Sequence, residues 1–469
     1  MSNPTHLKTK ITKRSAAEKP RIGLALAGGG RLAAAQPAAT AKITKRPAAR
    51  KPRIGLALAG GGPLGAIYEI GALCALEESL HGVSFTDLHH YVGVSAGGFI
   101  AAGLANGMTP RELCAAFIET DGEPSDLFDP AWLMVPAYGE FLRRSIMLPS
   151  LAATALWRAT VGRKSLLNAL EALGPALPTG IFSNDEIDVR LTEFFSKAGR
   201  TNDFRLLKAK LTLVATQLDS GDAAPFGQPG WDHVPISKAV QASSALPGLF
   251  PPVEIDNQYF VDGALKKTMH AGVALDQGID LMFCLNPLVP FDATRVPALS
   301  MNQRVMRRGL PLNRQSIPRI VDGGLPAVMS QTFRAMIHSR LELGMKHYEN
   351  AYPHTDIVLF EPDHRDADMF LANTFSYRQR HQMAEHAYQS TRQMLRSRKT
   401  SLSAKLARHG VTLNLAALGD AKRRLVEPLA PASRVGRAIA ALEESMEDLG
   451  RTIGHKVGQT VGDPALLAA

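Results

Sequence analysis

RIGLALAGGGPLGAIYEIGALCALEE, at residues 53–78, and HHYVGVSAGGFIAAGLANG, at residues 89–107, decide the fold of this 469-residue chain. Residues 54–59 form a short apolar run between Pro52 and a triple glycine, which is typical of a buried strand that enters a tight turn. From Leu64 onward, apolar residues recur at spacings of three and four. The first stretch therefore predicts a strand, a glycine turn and a helix.

One side of this predicted helix is apolar and is expected to face a sheet. Its apolar residues are Ile67, Ile70, Leu73, Cys74 and Leu76. The acidic residues Glu69, Glu77 and Glu78 are predicted to look outward, away from the sheet.

The second stretch contains a G-x-S-x-G pentapeptide at residues 93–97, between a predicted strand at 91–94 and a predicted helix at 96–107. In such a strand-to-helix elbow the serine sits in a strained turn, and the flanking glycines remove side chains that would clash. Ser95 would then lie at the carboxyl end of the sheet, where the amide of Ala96 and the helix dipole face a developing oxyanion. The pentapeptide also occurs by chance in glycine-rich chains, so other motifs must support it.

Gly60, Gly61 and Gly62 are the second motif, because their free amides at the start of a helix make an anion-binding nest. Either an oxyanion hole or a dinucleotide pyrophosphate site fits this nest. The dinucleotide site also expects an acidic residue at the end of the second strand to bind ribose. That strand ends in Val94-Ser95 instead.

The third motif lies far along the chain, where residues 254–256 and 258–261 alternate like the strands of a hairpin around Asp256-Asn257. Asp262 stands at the exit of the second strand, before Gly263. This aspartate could reach the serine, although a turn aspartate before glycine is the commoner explanation when the motif is taken alone.

Together the three motifs resemble the patatin-like phospholipase family. The resemblance covers roughly residues 53–290 and rests on four motifs in the order of the family, which are GGGPLG at 60–65, GVSAG at 93–97, ALPGLFPPV at 245–253 and DGA at 262–264. LTLVATQLDSGDAAP at 211–225 also looks like the central hairpin of the family. The resemblance implies a three-layer α/β/α fold with a mainly parallel central sheet, a nucleophile elbow, a helical cap and, here, a C-terminal helical extension.

The resemblance further implies a Ser-Asp dyad, with Ser95 as nucleophile and Asp262 as proton acceptor. It assigns the oxyanion hole to the backbone of Gly60, Gly61, Gly62 and Ala96. Gly65, Gly93, Gly97 and Gly263 complete the motifs as structural positions. The family usually carries a basic residue after the glycines, whereas this chain has Leu64, which removes any anion contact by that side chain.

An orthodox triad would need a histidine, and His270 follows Asp262 by eight residues. The order Ser, Asp, His would fit such a triad. The glycine loop immediately before the elbow favours the dyad instead, so His270 is not expected to be catalytic.

The positive charge of the chain is concentrated in its first residues. Residues 1–53 carry thirteen Lys and Arg against one acid, and the remainder carries 40 basic and 42 acidic residues, within a total of +10. ITKRSAAEKPRIGLALAGGG at 11–30 recurs as ITKRPAARKPRIGLALAGGG at 43–62, so we interpret 1–52 as a basic, disordered arm with a duplicated segment. Contact with an anionic lipid surface and no binding role at all are both open. Nucleic acid is the least favoured partner.

Beyond the elbow, residues 125–185 alternate apolar runs with arginines and predict either a cap over an acyl tunnel or plain core. The expected catalytic domain is 53–290, residues 291–399 are expected to complete it, and 400–469 are expected to form a helical tail. An a/d seam at 435–453 predicts a helix that forms a homo-oligomer or docks back on the domain.

Cysteines and hydropathy indicate the compartment. Cys74, Cys114 and Cys284 are widely spaced and look like free buried thiols of a reducing compartment. No run of eighteen uncharged apolar residues occurs, so no transmembrane helix is expected. A cytoplasmic location is expected, peripheral at a membrane or lipid surface. His338, His347, His381 and His386 are expected on exposed helical faces, without a metal.

The predicted function is that of a serine esterase or lipase that hydrolyses acyl esters of phospholipids or related lipids, without a cofactor or a metal. An acyltransferase, another esterase, and a catalytically silent lipid-surface or granule-binding protein of the same fold are the alternatives. The intact Ser95 and Asp262 argue against the silent protein.

Overall fold

The computed structural model describes residues 50–119, 128, 133, 135–160, 174–293, 320–366, 369 and 377–426. The predicted basic arm, apart from its last residues, lies outside this range, and so does the a/d seam at 435–453. The predicted cap and the extension after residue 290 are described in part.

The strands are short, and three of them are buried along their whole length. They are β1 (Ile54–Leu58), β2 (Leu80–His81), β3 (His90–Gly93), β4 (Lys210–Gln217), β5 (Ala223–Phe226), β6 (Val253–Ile255), β7 (Gln258–Asp262), β8 (Leu281–Leu285), β9 (Asp356–Phe360) and β10 (Thr412–Leu413).

The helices cover the faces and ends of the sheet. They are α1 (Gly62–Ser79), α2 (Ala96–Ala105), α3 (Pro110–Cys114), α4 (Tyr138–Ser145), α5 (Leu148–Thr160), α6 (Asp185–Phe195), α7 (Ile236–Ser243), α8 (Gly272–Leu275), α9 (Gly324–Ala351), α10 (Tyr377–Ser397), α11 (Lys399–Ala407) and α12 (Leu415–Gly419).

The central sheet has the order β6-β7-β4-β3-β1-β8-β9, with β5 paired to β4. Strands β4, β3, β1, β8 and β9 run parallel, and β5, β6 and β7 supply the antiparallel edge. Because the carboxyl ends of parallel strands meet at one edge of a sheet, the turns after β1 and β3 lie side by side. The predicted mainly parallel α/β/α architecture is confirmed.

The hairpin is also where the sequence predicts it. Asp256 and Asn257 both have positive φ, 52° and 58°, as a two-residue type I′ turn requires. β9 pairs with β8 in parallel and extends the sheet between α9 and α10.

Glu69 corrects the prediction for the first helix. Its side chain is fully buried, and neither carboxylate oxygen has a hydrogen-bond partner among the described residues. Burial raises the pKa of this carboxyl well above its usual range. The outward orientation was wrong because the Glu69 carboxylate lies beside the backbone of Ala59, directly after β1, and not in solvent.

Residues after α10 contact the first helix through backbone and side-chain hydrogen bonds. β10 pairs antiparallel with β2, directly after α1, and the Asn414 amide donates to the Ser79 carbonyl at 2.8 Å. The buried Arg392 donates to the carbonyls of Ala417 and Asp420. A separate tail from residue 400 stays a prediction for the part beyond residue 426.

All three cysteines are free and buried, as predicted. None of the helices among the described residues combines the length and apolar character that crossing a membrane requires.

Candidate active site

Ser95 occupies a sharp turn between β3 and α2. Its backbone has φ 52° and ψ −124°, a conformation that costs an ordinary residue of the order of 1–3 kcal/mol. The neighbouring glycines are sterically required, because a Cβ at Gly93 would lie 2.7 Å from the Gly97 carbonyl, and one at Gly97 would lie 2.6 Å from the Leu58 carbonyl. The elbow therefore depends on backbone packing.

A second serine holds this strained backbone in place. The Ser95 amide donates to Ser243 Oγ at 2.9 Å, and Ser243 Oγ donates to the Val214 carbonyl of β4 at 2.7 Å. Ser243 ends α7 and is fully buried. The sequence analysis missed this residue, although it lies two positions before the ALPGLFPPV motif.

Asp262 is the last residue of β7 and pairs with Ala215 of β4. Its amide donates to the Ala245 carbonyl at 3.0 Å, and its Oδ1 accepts from the Ala264 amide at 2.8 Å. Gly263 follows because a Cβ there would lie 2.0 Å from the Val214 carbonyl. The predicted strand-exit position of the aspartate is confirmed.

The structure brings the side chain of Ser95 close to the carboxylate of Asp262, although 167 positions separate them in the sequence. The two residues are 7% and 3% exposed. Burial raises the pKa of Asp262 to about 6, against the opposing effects of the nearby Ser95 side chain and of the hydrogen bond from the Ala264 amide. At neutral pH the carboxylate is therefore largely deprotonated and able to accept a proton.

The glycine loop passes directly beside the serine. A Cβ at Gly60 would lie 3.1 Å from the Ser95 Cβ and 3.2 Å from the Ala264 Cβ. Gly61 caps the N-terminus of α1, and Gly62 has φ 60°. The positive end of an 18-residue helix and its unpaired first amides thus stand next to the elbow.

A comparison with protein families identifies the domain built around this elbow. The model of the family described as patatin-like phospholipase matches residues 56–275. These residues belong to the patatin-like phospholipase family. Family membership supports lipid hydrolase activity in general, and the match covers all four quoted motifs.

The individual proteins that match this chain have low sequence identity to it. An uncharacterized protein of Bacillus subtilis, YqhO, is 27% identical over 170 residues, which is 35% of this chain and 47% of the relative. The chain thus spans about half the length of that curated relative. The crystal structure of VipD from Legionella pneumophila is 16% identical, covers 74% of this chain and 67% of its own, and has a TM-score of 0.35.

A structure of SpcU in complex with ExoU from Pseudomonas aeruginosa also matches. It is 16% identical, with 64% of this chain and 53% of that chain covered and a TM-score of 0.22.

Leu64 of the patatin domain, at the position where the family usually has a basic residue, is buried in the hydrophobic core. Its side chain packs among the apolar residues of α1 and neither donates a hydrogen bond nor carries charge. Any anion bound at this loop would therefore meet backbone amides there.

His270 is buried beside the patatin site but is turned toward the backbone. Its Nε2 donates to the Gly263 carbonyl at 3.2 Å. Burial lowers its pKa to about 4, so the ring is neutral at physiological pH. This contact is to the turn that follows Asp262 and is consistent with a positioning role.

The histidines of the later helices differ from the prediction. His347 is exposed as expected, whereas His338 and His381 are buried, so their placement on exposed faces was wrong. His386 is half-buried and pairs with Asp366 at 2.5 Å. Residues distant in sequence cover these helix faces, and the helical pattern alone does not reveal them.

Proposed function

We propose that the chain is a serine esterase or lipase that hydrolyses acyl esters of phospholipids or related lipids through Ser95 and Asp262. The observation that carries the proposal is the buried Asp262 carboxylate beside a serine at a strained strand-to-helix elbow. Membership of residues 56–275 in the patatin-like phospholipase family supports the lipid substrate class.

In the first step, Ser95 Oγ attacks the ester carbonyl while Asp262 accepts the hydroxyl proton. The amides of the glycine loop and of Ala96 donate to the oxyanion of the tetrahedral intermediate. As the intermediate collapses, Asp262 gives the proton to the leaving oxygen, and the alcohol or lysolipid departs.

In the second step, water attacks the acyl-enzyme and Asp262 accepts its proton. The second intermediate expels Ser95, which recovers its proton from Asp262, and the fatty acid leaves. An alcohol in place of this water would give acyl transfer by the same steps. Ser95 and Asp262 thus carry out both steps, and both return to their starting protonation states.

Large apolar side chains on α4, α5 and the turn after them supply a surface for a lipid aggregate. Six of them are more than half exposed, namely Tyr138, Leu142, Ile146, Leu156, Trp157 and Leu177. Contiguous exposed apolar side chains on a soluble domain mark protein or membrane contact. This supports the predicted cap as the side of the domain that meets lipid.

Short hydrogen-bonded links connect this surface to the candidate site. The Ile181 amide donates to the Leu249 carbonyl at 3.0 Å, and the same loop supplies the Ala245 carbonyl that accepts from Asp262. Ile181 and Leu249 are themselves partly exposed. A lipid bound at the apolar surface would therefore lie near the loop that contacts Asp262.

Fatty acid release from vesicles tests the proposal. The full chain is incubated with phosphatidylcholine vesicles that contain phosphatidylglycerol, and mass spectrometry follows free fatty acid and lysolipid. The proposal expects turnover by the wild type and by Ser401→Ala, an exposed serine on α11, and none by Ser95→Ala. Vesicle binding without turnover by the folded wild type would instead identify a silent lipid-surface protein.

A further inference from the structure

A cluster of metal-ligating side chains lies near β9, at the opposite edge of the central sheet from the strand that carries Asp262. It consists of His338 on α9, Glu361 immediately after β9, and His364 in the loop that follows. One ligand atom from each residue lies within 4.8 Å of the others. Parallel strand ends commonly carry functional groups, and β9 neighbours β8 here.

His338 presents an unpartnered nitrogen to the cluster. The residue is 8% exposed, and its Nδ1 is buried without a hydrogen-bond partner among the described residues. That atom lies 3.9 Å from Glu361 Oε2, beyond hydrogen-bond range. The opposite nitrogen, Nε2, lies 3.6 Å from a carboxylate oxygen of Glu342 on the next turn of α9.

His364 is held in the tautomer that a metal ligand needs. Its Nδ1 lies 3.1 Å from the Pro290 carbonyl, and because a carbonyl only accepts, Nδ1 carries the hydrogen. In the neutral ring this leaves the lone pair on Nε2. The His364 ring stands at 81° to the His338 ring, with the centroids 4.8 Å apart.

Glu361 is also oriented by a neighbour. Its Oε2 accepts from Asn286 Nδ2 at 3.2 Å, and Asn286 follows β8 directly. Asn286 is fixed in turn, because its Oδ1 accepts from the Leu288 amide at 3.2 Å. Glu361 and His364 therefore each have an outer hydrogen-bond partner of the kind that orients ligands in metal sites, an amide and a backbone carbonyl.

We propose that His338 Nδ1, Glu361 and His364 Nε2 bind a first-row divalent metal ion, with zinc as the ion that the donor set fits best. Two imidazole nitrogens and one carboxylate oxygen are ligands that zinc and its neighbours accept. Ligands about 2.1 Å from a metal are at most about 4.2 Å apart. The Nδ1 to Oε2 distance of 3.9 Å already meets this limit, and the widest separation of 4.8 Å within the cluster would have to shorten when the ion binds.

The coordination positions left over would face solvent. An open cavity of about 490 Å³ lies beside His364 and is lined by Pro290, Phe291, Asp292, Asp363, His364 and Arg365. This cavity gives an entry path for the ion and space for water as a fourth ligand.

The bound ion would fix the segment that supports the glycine loop. Asn286, which holds Glu361, precedes Pro287, and the Pro287 ring lies where a Cβ at Gly61 would be, with Cγ at 2.6 Å. The metal site thus connects α9, β9 and the segment after β8. Metal binding by this cluster does not depend on the proposed hydrolase activity.

Metal content tests the proposal directly. Untagged full-length protein is stripped with a chelator, dialysed against Zn²⁺ alone, and analysed by elemental mass spectrometry. We expect one zinc per chain in the wild type, an affinity weakened about 10-fold or more in His364→Gln and Glu361→Gln, and no change in His347→Gln. His347 is the matched control, because it lies exposed on the same helix as His338.

Cobalt supplies a second readout that does not depend on stability. Co²⁺ bound by nitrogen and oxygen ligands should give a visible absorption band in the wild type and in His347→Gln, and no band in a folded Glu361→Gln. Circular dichroism establishes the fold of each variant. No stoichiometric metal in the wild type, or equal loss in His347→Gln and His364→Gln, would overturn the proposal.

Discussion

The carboxyl end of the sheet and the helix pair α4–α5 are built in opposite ways. Around Ser95 and Asp262 the side chains are almost fully buried, and glycines are required because backbone atoms fill the space. On α4 and α5, by contrast, Leu142 is 67% exposed and Trp157 is 64% exposed. Substitutions in the first region would disrupt close backbone packing, whereas substitutions of exposed side chains in the second would remove few internal contacts.

This difference indicates that one region carries out the chemistry and the other determines how the domain contacts its substrate. Backbone geometry at the elbow places a nucleophile, a base and amide donors, which serve any acyl ester. Exposed apolar side chains decide which surface the domain meets, and they do so additively. Substitutions in the two regions should therefore affect different kinetic parameters.

Asp262→Asn should have the largest effect, a fall in kcat/KM on the order of 10⁴-fold. The same change should stabilise the fold at pH 8. The pKa of Asp262 is about 6 in the folded protein against an ordinary value of 3.8, so the folded state binds more protons between these pH values. Stability is then lost as pH rises through this window, by up to about 3 kcal/mol.

Thermal unfolding at two pH values checks this sign. Asp262→Asn should melt above the wild type at pH 8, and the gap should shrink at pH 4.5, where most folded carboxyl groups at this site are protonated. Equal destabilisation at both pH values would contradict this prediction and would show that the carboxylate has a structural role.

The next largest effect on activity should come from alanine substitution of Gly61, and the same substitution of the neighbouring Gly62 should have a smaller effect. A Cβ at Gly61 would lie 2.6 Å from Pro287 Cγ and 2.7 Å from the Gly65 Cα, whereas one at Gly62 meets nothing within 4 Å. Gly61→Ala should lower kcat about 10²- to 10³-fold by displacing the loop amides. Gly62→Ala strains a residue with φ 60° by about 1–2 kcal/mol and should keep kcat within about 10-fold. Steady-state kinetics on a soluble ester compares the two, and equal losses would count against loop displacement as the cause.

The pH dependence of kcat/KM comes third. Because Asp262 must be deprotonated to accept a proton, kcat/KM on a soluble ester should be level above about pH 7 and fall about 10-fold per pH unit well below 6. A soluble ester avoids titration of lipid head groups. A profile that stays flat to pH 4 would exclude Asp262 as the titrating base.

The smallest effect should come from the apolar surface and should be confined to lipid aggregates. Leu142→Asp should lower activity on vesicles about 10-fold, because a leucine contributes about 1.5 kcal/mol or more when it is buried in lipid. Activity on a soluble ester should not change. Leu343→Asp is the matched control, since Leu343 on α9 is 66% exposed, against 67% for Leu142. Equal losses in both variants would place the lipid-facing surface elsewhere.

Local patterns were sufficient to predict the elbow, the hairpin and the parallel strands. The turn at Asp256-Asn257 and the exit aspartate follow from short-range chemistry, and the backbone there has the predicted positive φ values. The pairing of Ser95 with Asp262 came from the family resemblance, because no spacing along the chain indicates that two motifs so far apart meet.

Burial by distant elements could not be predicted in the same way. Glu69 appears on the polar side of an amphipathic helix in the sequence, yet its side chain is fully buried. His338 likewise sits on a polar stripe but faces residues that follow β9. Ser243 gave no signal beyond its position next to a motif, since a single buried hydroxyl has no periodicity.

Active-site labelling tests the central claim most directly. The purified chain is treated with a fluorophosphonate, which forms a covalent bond with an activated serine, and the labelled peptide is mapped by mass spectrometry. The account predicts a single label on Ser95 that is lost in Ser95→Ala and in folded Asp262→Asn, and kept in Ser401→Ala. Labelling of another serine, or undiminished labelling of Ser95 in Asp262→Asn, would contradict a Ser95–Asp262 dyad.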